Sequence, residues 1–270
     1  MGVGRGVLGL TLASLLALAA CSSSTTAGHY ALLNGIRMYY EVHGRGPVLL
    51  LLHGGAGNGT QFSKQMPSFE EHFRLIVPDE CAQGRSSDRP GPLTYHAMAE
   101  DVITLMDRLH VRSADVMGWS DGGIVGLDMA IHHPKRVKHL VAFGANFTPD
   151  GLNPEDLAWN ARASADDFGP VVRGAYEQLA PDPSHYEEAM DKIIAMWRTL
   201  PKFTMAELHS IRAKTLIAAG EHDLVRPEHT ALLAHAIPGA RLWIVPGASH
   251  GAILEKPELV NGTVLEFLRR

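Results

Sequence analysis

The stretch Gly118-Trp119-Ser120-Asp121-Gly122 decides how this chain presents its reactive group. It joins an apolar segment, residues 114–117, to a segment of helical spacing, residues 123–133. Glycines on both sides of the serine keep side chains out of a sharp strand-to-helix turn, which lifts the Oγ clear of the backbone. The following helix points its free N–H groups at an oxygen that becomes negative during acyl transfer. The stretch therefore predicts a nucleophilic Ser120.

Two further residues of matching chemistry follow later, each just after an apolar run. Asp223 follows residues 215–219, and His250 follows residues 242–245. A serine hydroxyl is a weak nucleophile at neutral pH and needs a base within hydrogen-bond reach. His250 is the expected base, and Asp223 is expected to orient its imidazole and stabilise its charged form. The predicted catalytic residues are therefore Ser120, Asp223 and His250, in that order along the chain.

This order of residues at strand ends resembles that of the α/β-hydrolase fold family. The resemblance runs from about residue 30 to residue 270. It implies a mostly parallel central sheet flanked by helices, with a helical lid insertion. Gly-Trp-Ser-Asp-Gly-Gly is also similar to the turn of valacyclovir-hydrolase-like esterases, in which an acidic pocket suits amino-acid esters. The Asp121 carboxylate is then expected either to face the pocket or to cap the helix.

The resemblance also implies an oxyanion hole made of two backbone N–H donors. One donor is the N–H of Asp121, directly after the nucleophile. The other belongs to the loop His53-Gly54-Gly55-Ala56-Gly57, where we expect Gly55, with Ala56 as the alternative. His53 itself is expected to shape the loop rather than to act as a second base.

One segment departs from the family pattern. Many members carry Arg-Gly-His-Gly-x-Ser after a core strand, whereas this chain has Cys81-Ala82-Gln83-Gly84-Arg85-Ser86. The missing Arg and His are mainly structural in relatives, so the three predicted catalytic residues are unaffected. We therefore expect the pocket near this loop to differ in shape from that of relatives, and a relative's substrate does not carry over to this chain.

Strand and helix patterns alternate along the chain, which predicts parallel βαβ units with right-handed crossovers. Asn34-Gly35 is a strong hairpin signal, and Thr94 is a suitable N-cap for the helix that follows it. The predicted strands are residues 31–33, 36–42, 48–52, 73–77, 114–117, 137–143, 215–219 and 242–245, and the predicted helices include 95–109, 123–133 and 259–268.

Residues 148–209 interrupt this alternation between two core strands, and we call them the lid segment. The predicted core is therefore residues 30–147 and 210–270. The lid segment is helical in texture and carries 5 basic and 11 acidic residues. Its acidity indicates either a solvated helical surface or a lid that favours cationic or neutral substrates.

The N-terminus has the features of an export signal. Arg5 precedes an apolar run that ends in Leu18-Ala19-Ala20-Cys21, which resembles a bacterial lipoprotein box. We expect residues 1–20 to be a signal peptide, Cys21 to be lipidated, and residues 21–29 to be a tether. The protein would then be exported and anchored by lipid to a bacterial membrane, at the outer membrane or cell surface. The alternative is an ordinary signal peptide with a chance cysteine.

Composition narrows the partners. The net charge of −5 and the absence of a basic patch argue against nucleic acid, and no Cys/His cluster has zinc-site spacing. We expect neither a metal nor a cofactor. The chain has two cysteines, Cys21 and Cys81, whose pairing is conceivable only if Cys21 is not lipidated. The oligomeric state is left open.

These observations favour a serine hydrolase that cleaves a small or medium carboxylic ester through an acyl-enzyme. An amidase or aminopeptidase, a lactonase, a carbon–carbon bond hydrolase and an acyltransferase reuse the same site and stay open. The alternative from another class is a ligand-binding lipoprotein that has kept the fold without the chemistry.

Overall fold

The computed structural model describes residues 28–269 and builds them around one eight-stranded sheet. The strands are β1 His29–Leu33, β2 Ile36–Gly44, β3 Val48–Leu52, β4 Arg74–Pro78, β5 Ala114–Trp119, β6 Val137–Phe143, β7 Lys214–His222 and β8 Arg241–Ser249. Their spatial order is β1-β2-β4-β3-β5-β6-β7-β8. The β1–β2 and β2–β4 pairs are antiparallel, and all other pairs are parallel, which confirms the predicted mostly parallel sheet.

Helices flank the sheet, as predicted, and the two that follow β4 and β5 are among the longest. The helices are α1 Met66–Phe69, α2 Tyr95–Arg108, α3 Asp121–His132, α4 Pro154–Arg162, α5 Gly169–Leu179, α6 Tyr186–Thr199, α7 Met205–Ser210, α8 Pro227–Ala236, α9 Ala252–Glu255 and α10 Pro257–Leu268. Short 3₁₀ turns cover Gly59–Phe62, Pro149–Gly151, Ala165–Phe168 and Pro183–His185.

Apolar cores lie on both faces of the sheet. Strand β3 shows why, because its continuous apolar run is buried while its side chains alternate between faces. Leu50 and Leu52 join the core that contains α2 and α3 residues, whereas Leu49 and Leu51 join the core that contains α9 and α10 residues. Burial on both faces fixes the position of the strand and therefore of the loop that follows it.

The local signals at chain turns work as the sequence indicates. Asn34 and Gly35 adopt positive φ angles of 48° and 85° in the β1–β2 hairpin. The Thr94 hydroxyl accepts a 3.0 Å hydrogen bond from the Ala97 N–H and caps α2. Helix boundaries differ by one or two residues, since α3 begins at Asp121 rather than at residue 123.

Strands β7 and β8 run further than the apolar pattern predicts. Their pairing continues past a register shift between Gly220 and His222, and His222 pairs with Ser249. Backbone hydrogen bonding, which has no apolar signature, extends both strands to Ser249 and His222. Asp223 and His250 consequently follow the two strand ends directly.

The lid segment forms α4 to α7 and leaves the core between β6 and β7. The chain returns to the start of the lid segment before α7, because the Phe203 N–H donates a 3.0 Å hydrogen bond to the Phe147 carbonyl. Inside it, Trp159 packs edge-on against Phe168, and Phe168 packs against Trp197, each pair with ring centroids 5.8 Å apart. An aromatic row therefore runs through the lid segment.

The predicted signal peptide, Cys21 and most of the tether lie outside the described residues. The last residue assigned to the tether, His29, begins β1. Within residues 28–269, no helix has the length and apolar character needed to cross a membrane.

Candidate active site

Ser120 lies on the turn between β5 and α3 in an unusual backbone conformation. Its φ and ψ angles are 55° and −120°, a region that side-chain-bearing residues rarely adopt. The Ser120 N–H donates to the Phe143 carbonyl at 2.7 Å, and its carbonyl accepts from Gly123 and Ile124. These bonds to β6 and to α3 hold the strained residue in place.

The glycines beside Ser120 are required by close backbone contacts. A Cβ at Gly118 would lie 2.0 Å from the Gly122 carbonyl oxygen, and a Cβ at Gly122 would lie 2.0 Å from the Leu52 carbonyl oxygen. Neither distance is possible for a side chain. The G-x-S-x-G pattern therefore reflects the tight approach of the turn to its own helix and to β3.

The imidazole of His250 lies against the carboxylate of Asp223. His250 Nδ1 and Asp223 Oδ1 are 2.7 Å apart, and the Asp223 side chain is 2% exposed. Since Nδ1 donates to the carboxylate, Nε2 is the ring nitrogen free to accept a proton. The Trp119 indole N–H donates to the His250 carbonyl at 2.9 Å, which fixes the backbone of the loop.

Several hydrogen bonds keep Asp223 ionised inside the protein. Burial opposes its charge, but hydrogen bonds from His250, Val225 and Gly220 outweigh burial and lower the pKa of Asp223. The Val225 and Gly220 N–H groups each lie 3.1 Å from a carboxylate oxygen. Asp223 can therefore stabilise a positively charged imidazole at neutral pH.

Ser120 and His250 border the same cavity, which has a volume of about 290 Å³. Residues from the core and from the lid segment enclose it. The lining consists of Gly54, Gly55, Gln61, Tyr95, Trp119, Ser120, Asp121, Asn146, Leu152, Asp156, Trp159, Asn160, Trp197, Leu200, Leu224 and His250. The structure thus brings the predicted serine and histidine to one pocket, with Asp223 directly behind the histidine.

The two predicted oxyanion donors lie at this cavity. Asp121 is the first residue of α3, where a backbone N–H has no acceptor within its own helix. In the facing loop, the Gly54 N–H is already bound to the Gln61 side chain at 2.8 Å. Of the two candidates in this loop, Gly55 borders the cavity, whereas Ala56, with a positive φ of 54°, is not among the lining residues.

The carboxylate of Asp121 faces the cavity and does not cap the helix. Tyr95 Oη donates to Oδ1 at 2.9 Å, and Trp197 Nε1 donates to Oδ2 at 2.7 Å. Burial raises the pKa of Asp121 to about 6, against the opposing effects of both hydrogen bonds and of His250. Trp197 belongs to α6, so a lid residue is bonded to the residue after Ser120.

His53 has the loop-shaping geometry that the sequence suggested. It is fully buried, its Nδ1 donates to the Gly54 carbonyl at 2.8 Å, and its Nε2 accepts from the Glu80 N–H at 2.9 Å. Burial lowers the pKa of His53 and keeps the ring neutral. Both ring nitrogens are engaged in loop contacts.

The segment that departs from the family pattern is held by two arginines. Arg85 bonds the Asp79 carboxylate through Nε at 2.7 Å and Glu41 through Nη1 at 2.9 Å. Arg89 contacts the Cys81 thiol and forms an ion pair with Asp101. These pairs stabilise the loop at the positions where the usual Arg and His are missing.

Two clusters of possible metal ligands occur within residues 28–269, and neither borders the cavity. In one, the Nδ1 atoms of His96 and His132 lie 2.9 and 3.1 Å from the same oxygen of Asp128, so hydrogen bonds account for the arrangement. In the other, the Lys192 ammonium and the His185 ring both bind the same carboxylate oxygen of Asp88.

Three residues that the sequence analysis did not single out border the site. Gly144, with a φ of 61°, leaves room for His250 and Asp223, while Tyr95 and Trp197 hold Asp121. A glycine directly after β6 is the one local signal that points to Gly144. Nothing near Tyr95 or Trp197 in the sequence marks them, because their partner is distant along the chain.

Comparison with known proteins assigns the fold and the general activity. The profile of a family described as alpha/beta hydrolase fold matches residues 47–202. The "Putative carbamate hydrolase RutD" of Caulobacter sp. strain K31 is 30% identical over 256 residues, which cover 86% of this chain and 95% of that protein. A pimeloyl-(acyl-carrier protein) methyl ester esterase of Nitrosospira multiformis is 25% identical, and the match covers 87% of this chain and 99% of that protein.

A solved structure agrees with this assignment. The crystal structure of a hydrolase from Pseudomonas aeruginosa PA01 matches with a TM-score of 0.74 and 29% sequence identity. The match covers 89% of this chain and 98% of that chain. Sequence and structure comparisons therefore agree on the fold over most of the chain.

Proposed function

We propose a specific reaction for this chain, which belongs to the α/β-hydrolase fold family and is a hydrolase. The proposed reaction is the cleavage of a small or medium carboxylic ester to an acid and an alcohol. The observation that supports it most directly is the 2.7 Å hydrogen bond between His250 and Asp223 beside a cavity that Ser120 also borders.

The proposed mechanism has two half-reactions. In the first, His250 Nε2 takes the Ser120 hydroxyl proton while Oγ attacks the ester carbonyl carbon. The tetrahedral intermediate collapses, the C–O bond to the alcohol breaks, and His250 returns the proton to the departing alkoxide. In the second, His250 takes a proton from a water molecule that attacks the acyl carbon, the bond to Oγ then breaks, and His250 returns the proton to Ser120 as the acid leaves.

The N–H groups of Gly55 and Asp121 are the proposed donors to the oxyanion of both intermediates. Donors of this kind stabilise charge that develops only in the transition state, and losing one typically costs about 10²–10³ in kcat. Asp223 is the proposed partner of the imidazolium that forms with the oxyanion. Its lowered pKa supports this role, since it stays ionised near neutral pH.

The size and lining of the cavity support a small or medium substrate. A volume of about 290 Å³ is at the lower end of the range for ligand pockets. The walls combine the apolar side chains of Trp159, Trp197 and Leu224 with two carboxylates, Asp121 and Asp156. Such a lining suits a neutral ester and disfavours an anionic one.

A carbamate is the second candidate substrate class, because the 30% identical relative is described as a putative carbamate hydrolase. A carbamate presents the same carbonyl carbon to the serine, so the chemistry of attack is unchanged. A carbamoyl-enzyme usually hydrolyses more slowly than an acyl-enzyme because nitrogen donates electrons into its carbonyl group. Intact mass after exposure to a p-nitrophenyl carbamate would separate the two classes. A carbamoyl adduct should persist on an ester hydrolase and should be lost quickly from a carbamate hydrolase.

Fluorophosphonate labelling tests the proposed nucleophile. Purified protein and its Ser120→Ala variant are treated with the probe and read by intact mass, and p-nitrophenyl esters of increasing acyl length are assayed alongside. We expect one adduct on the native protein, none on the variant, and ester turnover only where the adduct forms. Full turnover in Ser120→Ala would rule out the proposed nucleophile.

We further propose that the protein is exported and anchored by a lipid on Cys21. The support is the sequence of residues 1–21, with its basic start, apolar run and small residues before the cysteine. Expression in a bacterium with labelled palmitate, followed by membrane fractionation, tests this location. We expect label and membrane association in the native chain and neither in Cys21→Ser; label in the variant would contradict the proposal.

A further inference from the structure

One lid residue touches both sides of the proposed oxyanion hole. Trp197, on α6, donates its indole N–H to Asp121 Oδ2 at 2.7 Å. Its ring also packs on the facing loop, since a Cβ placed on Gly55 would lie 2.6 Å from Trp197 Cζ2 and 2.3 Å from Asp121 Oδ2. Gly55, Asp121 and Trp197 are therefore in mutual contact, and the first two are the residues that carry the proposed N–H donors.

The carboxylate of Asp121 is fixed at both oxygens. Tyr95 Oη, from α2 in the core, donates to Oδ1 at 2.9 Å, opposite the bond from Trp197. The side chain is 4% exposed, so water does not replace either donor easily. A carboxylate held on two sides cannot rotate, and it ties the first residue of α3 to both α2 and α6.

Helix α6 is itself tied to the core and to the rest of the lid segment. The Lys192 ammonium donates to the Arg89 carbonyl at 2.6 Å and pairs with Asp88. The Arg198 guanidinium donates to the carbonyls of Asn160 and Ala163 at 2.9 and 2.8 Å. The position of Trp197 thus depends on the docking of the whole helix.

Oxyanion donors are effective only when their geometry is set before the charge develops, and small misplacements reduce catalysis. We propose that Trp197 is a positioning residue that holds the N–H groups of Gly55 and Asp121 in their working geometry only while α6 is docked. Tyr95 is the fixed counterpart of Trp197 on the core. This inference rests on the proposed serine-hydrolase function and adds a link between the lid segment and the transition state.

The link makes a specific kinetic prediction. Trp197→Phe keeps an aromatic ring in the lid but removes the N–H that binds Asp121. The substrate would still bind, whereas the oxyanion would be held less well. With a p-nitrophenyl ester we expect kcat to fall by about tenfold, part of the loss known for removing a whole donor, and KM to change less than about twofold.

A boronic acid provides a readout that a purely structural role would not move. Ser120 Oγ bonds to boron while its proton passes to His250, and the resulting tetrahedral boronate places one of its hydroxyl oxygens in the hole. We expect the inhibition constant of benzeneboronic acid to rise about tenfold in Trp197→Phe, in parallel with the fall in kcat. Trp243→Phe, a matched substitution on β8 outside the cavity lining, should leave kcat, KM and this constant unchanged.

Tyr95→Phe tests the same carboxylate from the core side and serves if the lid variant folds poorly. We expect a smaller fall in kcat, of about threefold to tenfold, with KM again retained. Native kcat and native boronate affinity in both variants would overturn the inference, as would a rise in KM alone. Absence of a fluorophosphonate adduct on the native protein would instead remove the proposed function on which the inference rests.

Discussion

Gly144 lies so close to His250 that a side chain there would contact the imidazole. A Cβ at Gly144 would be 2.9 Å from Nδ1 and from Cε1 of His250, and 3.4 Å from a carboxylate oxygen of Asp223. The residue also has a φ of 61°, which favours glycine. The space that the His250–Asp223 pair occupies is therefore shaped by the first residue after β6.

This contact predicts a catalytic defect in Gly144→Ala. The methyl group would push the imidazole away from Asp223 and Ser120, so we expect kcat to fall by about 10–100-fold. The strained φ should also lower the free energy of unfolding by about 1 kcal/mol. Gly262→Ala is the matched control, because this exposed glycine in α10 has open space around it and alanine favours helices. Native kinetics in Gly144→Ala would contradict the packing argument.

Asp223→Asn should disable the histidine without unfolding the chain. The amide would donate to His250 Nδ1, so the ring proton would lie on Nε2. That nitrogen could then not accept the serine proton. We expect kcat to fall by about 10³–10⁴-fold, with a native circular dichroism spectrum. Asp115→Asn removes a comparable carboxylate, 2.8 Å from Nδ1 of His139 and away from the cavity, and should retain kcat. Equal effects of the two substitutions would refute a specific role for Asp223.

The buried charge of Asp121 should make stability depend on pH. Its folded pKa of about 6 is above the ordinary value of about 3.9, so the folded state binds the extra proton between these values. Stability therefore falls as pH rises from about 4 to 6, by up to about 3 kcal/mol for this group.

Asp121→Asn removes the titrating carboxyl group, although its amide NH2 would face one of the two donors that the carboxylate accepts from. We therefore expect the stability of the variant relative to the native protein to rise by up to about 3 kcal/mol as pH rises from about 4 to 8. Urea unfolding from pH 4 to pH 8 measures this difference, with the exposed substitution Asp191→Asn as the control. A difference independent of pH would show that Asp121 does not titrate in this range.

Cys81 should be unreactive in the folded protein. It is fully buried, and burial raises the pKa of its thiol to about 11, although the Arg89 guanidinium favours the thiolate. The thiolate is the reactive form, so we expect alkylation by iodoacetamide only after unfolding. The Cys21→Ser variant makes Cys81 the single thiol for this measurement. Rapid alkylation of the native variant would contradict the buried environment.

Much of the fold could be predicted because strong local signals agreed with each other. Alternating apolar runs and helical patterns predicted the sheet, and Asn34-Gly35 and Thr94 predicted a hairpin and a cap, all of which the structure confirms. Parallel strands end at one edge of a sheet, so Ser120, Asp223 and His250 were expected to meet there. The structure places them together, and their catalytic roles stay predictions until the serine is tested.

The remainder of the site depends on contacts that no local pattern encodes. Trp197 and Tyr95 reach Asp121 from elements far away in sequence, and their pairing follows from how α6 docks on the core. The final residues of β7 and β8 were missed because their pairing is made by backbone groups. Docking of helices and backbone pairing are tertiary effects, and a single sequence records neither of them directly.

The hydrogen bond between Phe203 and Phe147 holds together the two positions between which most of the lid segment is inserted. Replacing that part with a segment from another protein should therefore be structurally feasible. Because these two residues are in contact, an inserted segment of a different length can begin and end there without moving β6 away from β7. Such a replacement should change substrate selectivity while the sheet keeps its structure. Under the proposed role of Trp197, the replacement segment must supply its own hydrogen-bond donor to the Asp121 carboxylate. We expect only replacements that supply this donor to remain active.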